Sequence, residues 1–210
     1  MHGSTMRKLA FSVTAAVVGG TAGAQGLDTL IESCESCHGK DGYSTTADVP
    51  IIAGFSREGF VSTIEAFRKG ERIAIEFHRP GEPETVMNEI ARALADQDVE
   101  GLADHYSARI FRPAQQSADP ALVKAGAKIH KKWCERCHSE NGAYPDEEAA
   151  ILAGQWTPYL RRQFENFLTG KRKVPKTMLE RIKKLSADDI EALLHFYANA
   201  GLQAESEAAR

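Results

Sequence analysis

Two five-residue stretches decide the fold of this 210-residue chain: Cys34-Glu35-Ser36-Cys37-His38 and Cys134-Glu135-Arg136-Cys137-His138. Together they contain all four cysteines of the sequence. Each is a copy of the Cys-x-x-Cys-His signature for covalent attachment of haem c. Two thiols on one helical turn can each form a thioether with a haem vinyl group, and the adjacent histidine then lies beneath the iron as its proximal ligand. The sequence therefore predicts two covalent haem c groups.

Other uses of paired cysteines explain this pattern less well. An even number of cysteines in an exported protein invites disulfide bonds, but the spacing of these four is that of haem attachment. A four-cysteine zinc site leaves His38 and His138 without a role, and a thioredoxin-type redox motif does not need them. A single signature leaves these alternatives open, whereas two copies that use every cysteine favour haem.

The two signatures belong to a tandem repeat. Residues 100 positions apart match at several places beyond the cysteines: Ile51 and Ile151, Ala53-Gly54 and Ala153-Gly154, Phe67 and Phe167, Gly70 and Gly170, Arg72 and Arg172. Past Arg72 the offset shortens to 91 residues, as Tyr106 and Tyr197 illustrate. The first repeat therefore carries nine extra residues within Ile73–Val86. Pro80, Gly81 and Pro83 predict that this insertion is a loop.

Beyond residue 24 the sequence contains two methionines, Met87 and Met178, at equivalent positions of the repeats. A methionine thioether is a soft ligand that favours ferrous iron and raises the potential of a His/Met haem, which suits an electron carrier. The alternatives are that both methionines fill gaps in the core, and that His78 in the insertion replaces Met87 at the iron. We predict His38 and Met87 as axial ligands of one iron, and His138 and Met178 as those of the other.

Apolar residues at helical spacing predict an all-α fold of two tandem domains, each wrapped around one covalent haem c. The predicted helices cover about Asp28–Glu35, Glu58–Lys69, Asn88–Leu94, Asp96–Arg109, Ala121–Glu135, Pro158–Thr169 and Ala187–Asn199. Ser186 is the predicted cap of the last helix. We expect residues 25–111 and 121–202 to form the domains, the polar segment 112–120 to link them, and residues 203–210 to form a tail.

The N-terminus predicts export. A basic start at Met6-Arg7-Lys8, the apolar stretch Leu9–Gly20 and the small residues Ala22-Gly23-Ala24 form the layout of a signal peptide over residues 1–24. The apolar stretch is shorter than the roughly 18 residues that a spanning helix needs. A formal net charge of -3 provides no general basic field for nucleic acid. We expect a periplasmic protein with no membrane span in the mature chain and no nucleic-acid partner.

These residues support a family resemblance. Each half resembles a class I cytochrome c domain, and the tandem resembles dihaem cytochromes of the c4 type. Three runs are similar to the cytochrome subunit of flavocytochrome c sulfide dehydrogenase: Arg112-Pro113-Ala114-Gln115-Gln116-Ser117, Gly126-Ala127-Lys128-Ile129-His130 and Ile151-Leu152-Ala153-Gly154-Gln155-Trp156-Thr157-Pro158-Tyr159-Leu160. The resemblance implies a heterodimer with an FAD-binding subunit that oxidises sulfide. Electrons would pass from the flavin to the two haems here and then to a soluble cytochrome c.

On this interpretation the chain is an electron-transfer subunit with no catalytic residues of its own. The alternative is a free-standing dihaem carrier of the c4 type that serves a terminal oxidase. A third hypothesis is a dihaem enzyme, such as a peroxidase or a thiosulfate-oxidising enzyme, but two matched methionines predict closed six-coordinate irons.

Two further features carry expectations. Pro50 lies where small c-type cytochromes place the carbonyl that accepts a hydrogen bond from the proximal histidine, and Ala150 is its equivalent in the second repeat. The basic run Lys171-Arg172-Lys173 is either a solvated loop or a surface that steers an acidic electron partner toward a haem edge.

Overall fold

A computed structural model describes residues 26–77, 85–145 and 149–208. The predicted signal peptide and His78 lie outside these ranges. The first half contains α1 (Leu27–His38), a 3-10 turn (Lys40–Gly42), α2 (Arg57–Arg68), β1 (Glu76–Phe77), β2 (Thr85–Val86), α3 (Met87–Ala93) and α4 (Asp96–Ser107). The second half contains α5 (Pro120–Trp133), α6 (Ser139–Gly142), α7 (Thr157–Leu168), α8 (Lys176–Ile182) and α9 (Ala187–Ala208). The fold is mostly helical, as the apolar periodicity predicted.

The structure differs from the predicted elements in several places. The ends of the insertion form an antiparallel pair of short strands, with Glu76 opposite Val86 and Phe77 opposite Thr85, where a loop was predicted. β-branched and aromatic residues at these ends favour extended backbone. Helices α6 and α8 were not predicted, and α9 continues past the predicted end at Asn199 to Ala208.

Side-chain caps explain where several helices begin. Ser56 accepts a hydrogen bond from the Gly59 amide at the start of α2, over 3.1 Å. At α9, Ser186 Oγ accepts from the Asp189 amide, and the Asp189 carboxylate accepts from the Ser186 amide, a reciprocal capping box. The predicted capping role of Ser186 is therefore confirmed. The same amide and hydroxyl of Ser186 lower the pKa of Asp189.

Each half packs its first helix against its last. In the second half α5 crosses α9 so closely that a Cβ atom added at Gly126 would lie 2.6 Å from Cβ of Phe196 and overlap the Ala192 carbonyl. In the first half α1 contacts α4, and a Cβ atom added at Gly101 of α4 would meet the Leu27 side chain at 3.1 Å without touching backbone nearby. Glycine at position 126 is therefore what lets the two helices of the second domain approach.

Close contacts with a neighbouring chain segment also explain why both repeats contain an Ala-Gly pair. Gly54 and Gly154 both have left-handed backbone, with φ of 72° and 77°. A Cβ atom at Gly54 would lie 2.9 Å from Cβ of Phe111, and one at Gly154 would lie 2.8 Å from Cα of Pro113. The chain segment between the two halves passes so close that neither position has room for a side chain. Both positions therefore need glycine, which also adopts the left-handed backbone readily.

The two halves meet around a local two-fold relation. Arg72 pairs in antiparallel fashion with Arg172, its own repeat equivalent. The Ile73 amide donates to the Lys171 carbonyl over 2.8 Å, and the Lys173 amide donates to the Glu71 carbonyl over 2.7 Å. A contact in which a residue meets its own equivalent is the signature of two-fold packing.

Buried side chains extend this interface. Gln155, which is 2% exposed, pairs with the backbone of Ile51 in the other half: its Oε1 accepts from the Ile51 amide over 3.0 Å and its Nε2 donates to the Ile51 carbonyl over 2.9 Å. Trp156 Nε1 donates to the Ser44 carbonyl over 3.0 Å. In the described part of the chain, no helix combines the length and hydrophobicity needed to cross a membrane.

Candidate haem sites

Helix ends present the two signatures. Cys34, Cys37 and His38 lie in the last turn and a half of α1. In the second half α5 ends at Trp133, and a turn follows in which the Cys137 and His138 amides donate to the Cys134 carbonyl, over 3.1 and 2.9 Å. None of the four cysteines forms a disulfide bond. The two signatures thus present their thiols and histidine from equivalent points of the fold.

The first cavity brings together the four predicted residues of the first repeat. Its volume is about 160 Å³, and Cys34, Cys37, His38 and Met87 all line it. The remaining wall is largely apolar and includes Phe60, Ile64, Phe67, Ile90 and Leu102. Residues at the start of the insertion, Ile73, Ile75 and Phe77, also line it.

The second cavity brings together the four predicted residues of the second repeat. Its volume is about 550 Å³, within the usual range for a ligand pocket, and Cys134, Cys137, His138 and Met178 line it. Its apolar wall includes Leu152, Leu160, Phe164, Phe167 and Ile182. Paired thiols, an imidazole and a thioether around an apolar cavity are the donor set that haem c requires. The residues present therefore fit the group.

The histidine of the first cavity is held as a proximal ligand should be. The Nδ1 atom of His38 lies 2.8 Å from the Pro50 carbonyl, so Nδ1 donates and Nε2 is left free for iron. Burial lowers the pKa of His38, which keeps the ring neutral as ligation needs. The predicted hydrogen bond to Pro50 is confirmed.

The second histidine is held less firmly. Burial lowers the pKa of His138, and the Ala150 carbonyl opposes this effect. Among the described residues, however, no group forms a hydrogen bond of normal geometry with Nδ1 of His138. The predicted acceptor at Ala150 is therefore near the ring without being aligned to it. Proline fixes the backbone at position 50, whereas alanine leaves φ free at position 150.

The cysteines do not have the character of a thiol redox pair. Burial raises the pKa of Cys34 to about 11, and burial also raises the pKa of Cys134. Redox-active cysteines are thiolates of low pKa. The environment of both signatures therefore disfavours the thioredoxin-type alternative.

Behind the second signature lies a buried network that the first lacks. His130 is 1% exposed; its Nε2 lies 2.5 Å from the Glu135 carboxylate and its Nδ1 lies 3.1 Å from the Tyr197 hydroxyl. Burial lowers the pKa of His130 and raises that of Tyr197. The equivalent of His130 in the first half is the buried Leu30. His130 thus packs within the domain and ties Glu135, inside the signature, to helix α9.

The two cavities share part of their walls. Phe55, Thr63, Arg72, Tyr159 and Gln163 line both, so each half contributes to the cavity of the other. Arg72 Nη2 donates to the Tyr159 hydroxyl over 2.6 Å, and Arg172 Nη1 donates to Gln163 Oε1 over 2.7 Å. This shared wall was not predicted from the sequence, although the match between Arg72 and Arg172 in the repeat pointed to it.

Part of the basic run at 171–173 belongs to this interface, although the Lys171 and Lys173 side chains stay exposed to solvent. Arg172 is partly buried against Arg72, and Lys173 Nζ lies 3.0 Å from the Glu71 carboxylate of the other half. Lys171 is exposed, and its carbonyl accepts the Ile73 amide. Two of the three basic side chains are therefore used between the halves.

Comparisons with known proteins agree with this geometry. A family model described as "Cytochrome C oxidase, cbb3-type, subunit III" matches residues 121–196. Cytochrome c4 of Stutzerimonas stutzeri is 32% identical over 178 residues, which is 76% of this chain and 80% of that protein.

Two solved structures are similar along most of the chain. The crystal structure of reduced recombinant cytochrome c4 from Pseudomonas stutzeri has a TM-score of 0.66 and 28% identity, covering 83% of this chain and 97% of that one. A thiosulfate dehydrogenase (TsdBA) from Marichromatium purpuratum has a TM-score of 0.63 and 27% identity, covering 79% of this chain but 36% of that one. The chain thus carries two covalent haem c groups in two class I cytochrome c domains, and such a pair can accept, hold and pass on single electrons.

Proposed function

The chain belongs to the cytochrome c4 family of dihaem electron carriers, and we propose that it works in the periplasm as a free-standing carrier delivering electrons toward a terminal oxidase. One observation carries the proposal: each cavity is lined by one signature histidine and one methionine, His38 with Met87 and His138 with Met178. Each His/Met pair would supply both protein ligands to the iron of a bound haem c. No coordination position is then left for a substrate, which favours electron transfer over catalysis.

The chain's own residues set the conditions for that transfer. Haem iron, when bound, supplies one-electron exchange between its ferric and ferrous states. Met87 and Met178 would favour the ferrous state, and the apolar walls exclude water and so disfavour the additional charge of ferric iron. The Pro50 carbonyl orients His38 through Nδ1. The methionines and the apolar walls would raise the reduction potential, as a carrier that feeds an oxidase requires.

A second candidate function is that of an electron-accepting subunit bound to a dehydrogenase of sulfur compounds. It is supported by the similarity to the thiosulfate dehydrogenase and by the likeness of residues 112–117 and 151–160 to the cytochrome subunit of an FAD-containing sulfide dehydrogenase. In that case the flavoprotein would supply electrons and a soluble cytochrome c would receive them. The free-standing carrier has the broader support, because this chain matches 97% of the cytochrome c4 structure but 36% of the thiosulfate dehydrogenase chain.

Native purification under mild conditions separates the two candidates. We expect a flavin-free dihaem protein whose ferrous form is oxidised by membranes that contain a terminal oxidase. Co-elution with a flavoprotein at constant ratio would instead favour the second candidate. The oxidised protein should show the methionine-to-iron charge-transfer band at the red edge of the visible spectrum, and its absence at both haems would contradict either carrier function.

A further inference from the structure

Two arginines at the contact between the halves, Arg72 and Arg172, have no anionic partner among the described residues. Arg72 is 5% exposed, and its repeat equivalent Arg172 is partly buried beside it. Burial and the charge of Arg72 lower the pKa of Arg172 to about 9. In the described ranges no carboxylate lies within ion-pair distance of either guanidinium. Like charges brought together in a buried site are unfavourable unless an anion compensates them.

The side chains around the two guanidiniums orient them but do not neutralise them. Arg72 stacks 4.7 Å from the ring centre of Phe67, and Arg172 stacks 4.9 Å from that of Phe167, so the two repeats hold their arginines alike. The hydrogen-bond acceptors are the Tyr159 hydroxyl and the Gln163 amide oxygen, both neutral groups.

Donor atoms remain for a further ligand. The hydrogen bonds described for Arg72 come from Nη2, and that for Arg172 comes from Nη1. The other nitrogens of each guanidinium are left to donate, in the fork geometry that matches a carboxylate. Tyr159 responds to the same charges: burial raises its pKa, but Arg72 and Arg172 outweigh that effect and lower it overall.

The position of the pair identifies the anion. Arg72 lines both cavities, and Arg172 lines the second. A haem carries two propionate carboxylates, and within the proposed function each cavity holds one haem. We propose that Arg72 and Arg172 form one carboxylate-binding site at the two-fold contact, where they hold haem propionates from both domains and set the potentials of both irons together. The proposal rests on the proposed function, because it needs two bound haems.

Its direct consequence concerns the reduction potentials. A positive charge near a haem disfavours the ferric state, so loss of that charge lowers the potential. Arg72→Gln should lower the midpoints of both haems, because Arg72 lines both cavities, whereas Arg172→Gln should act mainly on the second haem. Arg72→Lys keeps the positive charge but loses the paired N–H donors of the guanidinium. Its midpoint potentials should therefore lie between those of Arg72→Gln and the wild type.

The experiment is a spectroelectrochemical titration of the holoprotein and its variants. Matched controls are Arg57→Gln and Arg161→Gln, which each remove one exposed arginine, paired with Glu100 and with Glu191 respectively. We expect smaller shifts in the controls that disappear in high salt. Haem content and the methionine charge-transfer band are recorded first, so loss of either reports on the proposed function and not on the arginine pair.

Wild-type midpoints in Arg72→Gln and Arg172→Gln, with both haems and both bands intact, would overturn the proposal. If Arg72→Gln does not fold, Arg172→Gln and Arg72→Lys still test it. A second arm adds inorganic phosphate to the wild-type protein at constant ionic strength. Unchanged midpoints are expected if haem carboxylates fill the site, and a phosphate-dependent shift would show that a free anion occupies it instead.

Discussion

The Gln155 side chain is the most informative place to test the coupling of the two domains. Its amide makes a two-way pair with the backbone of Ile51, and its Oε1 also accepts from the Trp156 amide over 3.1 Å. Both Gln155 and Ile51 are 2% exposed. Substitution Gln155→Ala therefore leaves a buried N–H and a buried C=O of Ile51 without their partner.

The expected loss of stability follows from those two groups. Each buried polar group left without a partner costs about 1–3 kcal/mol, so the loss of two partners should lower the unfolding free energy by about 2–6 kcal/mol. With a urea dependence of about 2 kcal/mol per molar, the midpoint of urea unfolding should fall by about 1–3 M. Gln155→Leu, which keeps most of the volume but lacks the amide, should lose a similar amount.

The assay is urea unfolding of the holoprotein, followed by far-ultraviolet circular dichroism and by haem absorbance. Gln97→Ala is the matched control, because Gln97 is exposed in α4 and its loss should change stability by less than about 0.5 kcal/mol. Gln155 lines the second cavity, and Ile51 follows Pro50, whose carbonyl holds His38 at the first, so the midpoint potentials of both haems should shift. A Gln155→Leu protein as stable as the wild type would refute the reasoning.

Three further predictions rest on other contacts. Met178→Ala should halve the methionine charge-transfer absorbance while both haems stay covalently attached, and adding Met87→Ala should abolish it; a band unchanged in the double variant would contradict the ligand assignment. Gly126→Ala should reduce the unfolding free energy by at least about 1–3 kcal/mol, seen as a lower midpoint of thermal unfolding, because the added methyl overlaps the Ala192 carbonyl. Gly101→Ala meets the Leu27 side chain at 3.1 Å and should be neutral or stabilising. Asn88 donates to the carbonyls of Phe67 and Arg72 and accepts from the Ala74 amide. Asn88→Ala should therefore reduce the unfolding free energy, measured in urea, by about 2–4 kcal/mol. A loss below about 1 kcal/mol would show that water replaces the side chain.

Local patterns predicted the parts of this protein whose chemistry is local. Haem attachment needs its thiols and histidine within one turn, so Cys34, Cys37 and His38 can be read as a unit. The helices followed from apolar spacing, and the repeat located Met87 and Met178. Axial ligation by the methionines stays a prediction, with the support that each lines the cavity of its own signature.

Short or irregular elements escaped that reasoning. Helix α8 is seven residues long and follows Pro175, too short for apolar spacing to be recognised. The strands β1 and β2 contain two residues each and are stabilised by pairing with one another. Neither length offers enough residues for a period to be distinguished from chance.

The sequence by itself determined the cofactor, the number of domains and the candidate ligands, because covalent attachment and helix formation depend on residues close together along the chain. Tertiary structure alone decided how the two domains face each other. Only folding brings Arg72 against Arg172, and Gln155 against Ile51, across separations of about 100 residues. Such pairings leave no periodic trace, since they depend on which helix faces meet and which buried polar groups must be satisfied there. That is why the arginine pair between the two cavities became visible in the structure, although both arginines were already matched in the repeat.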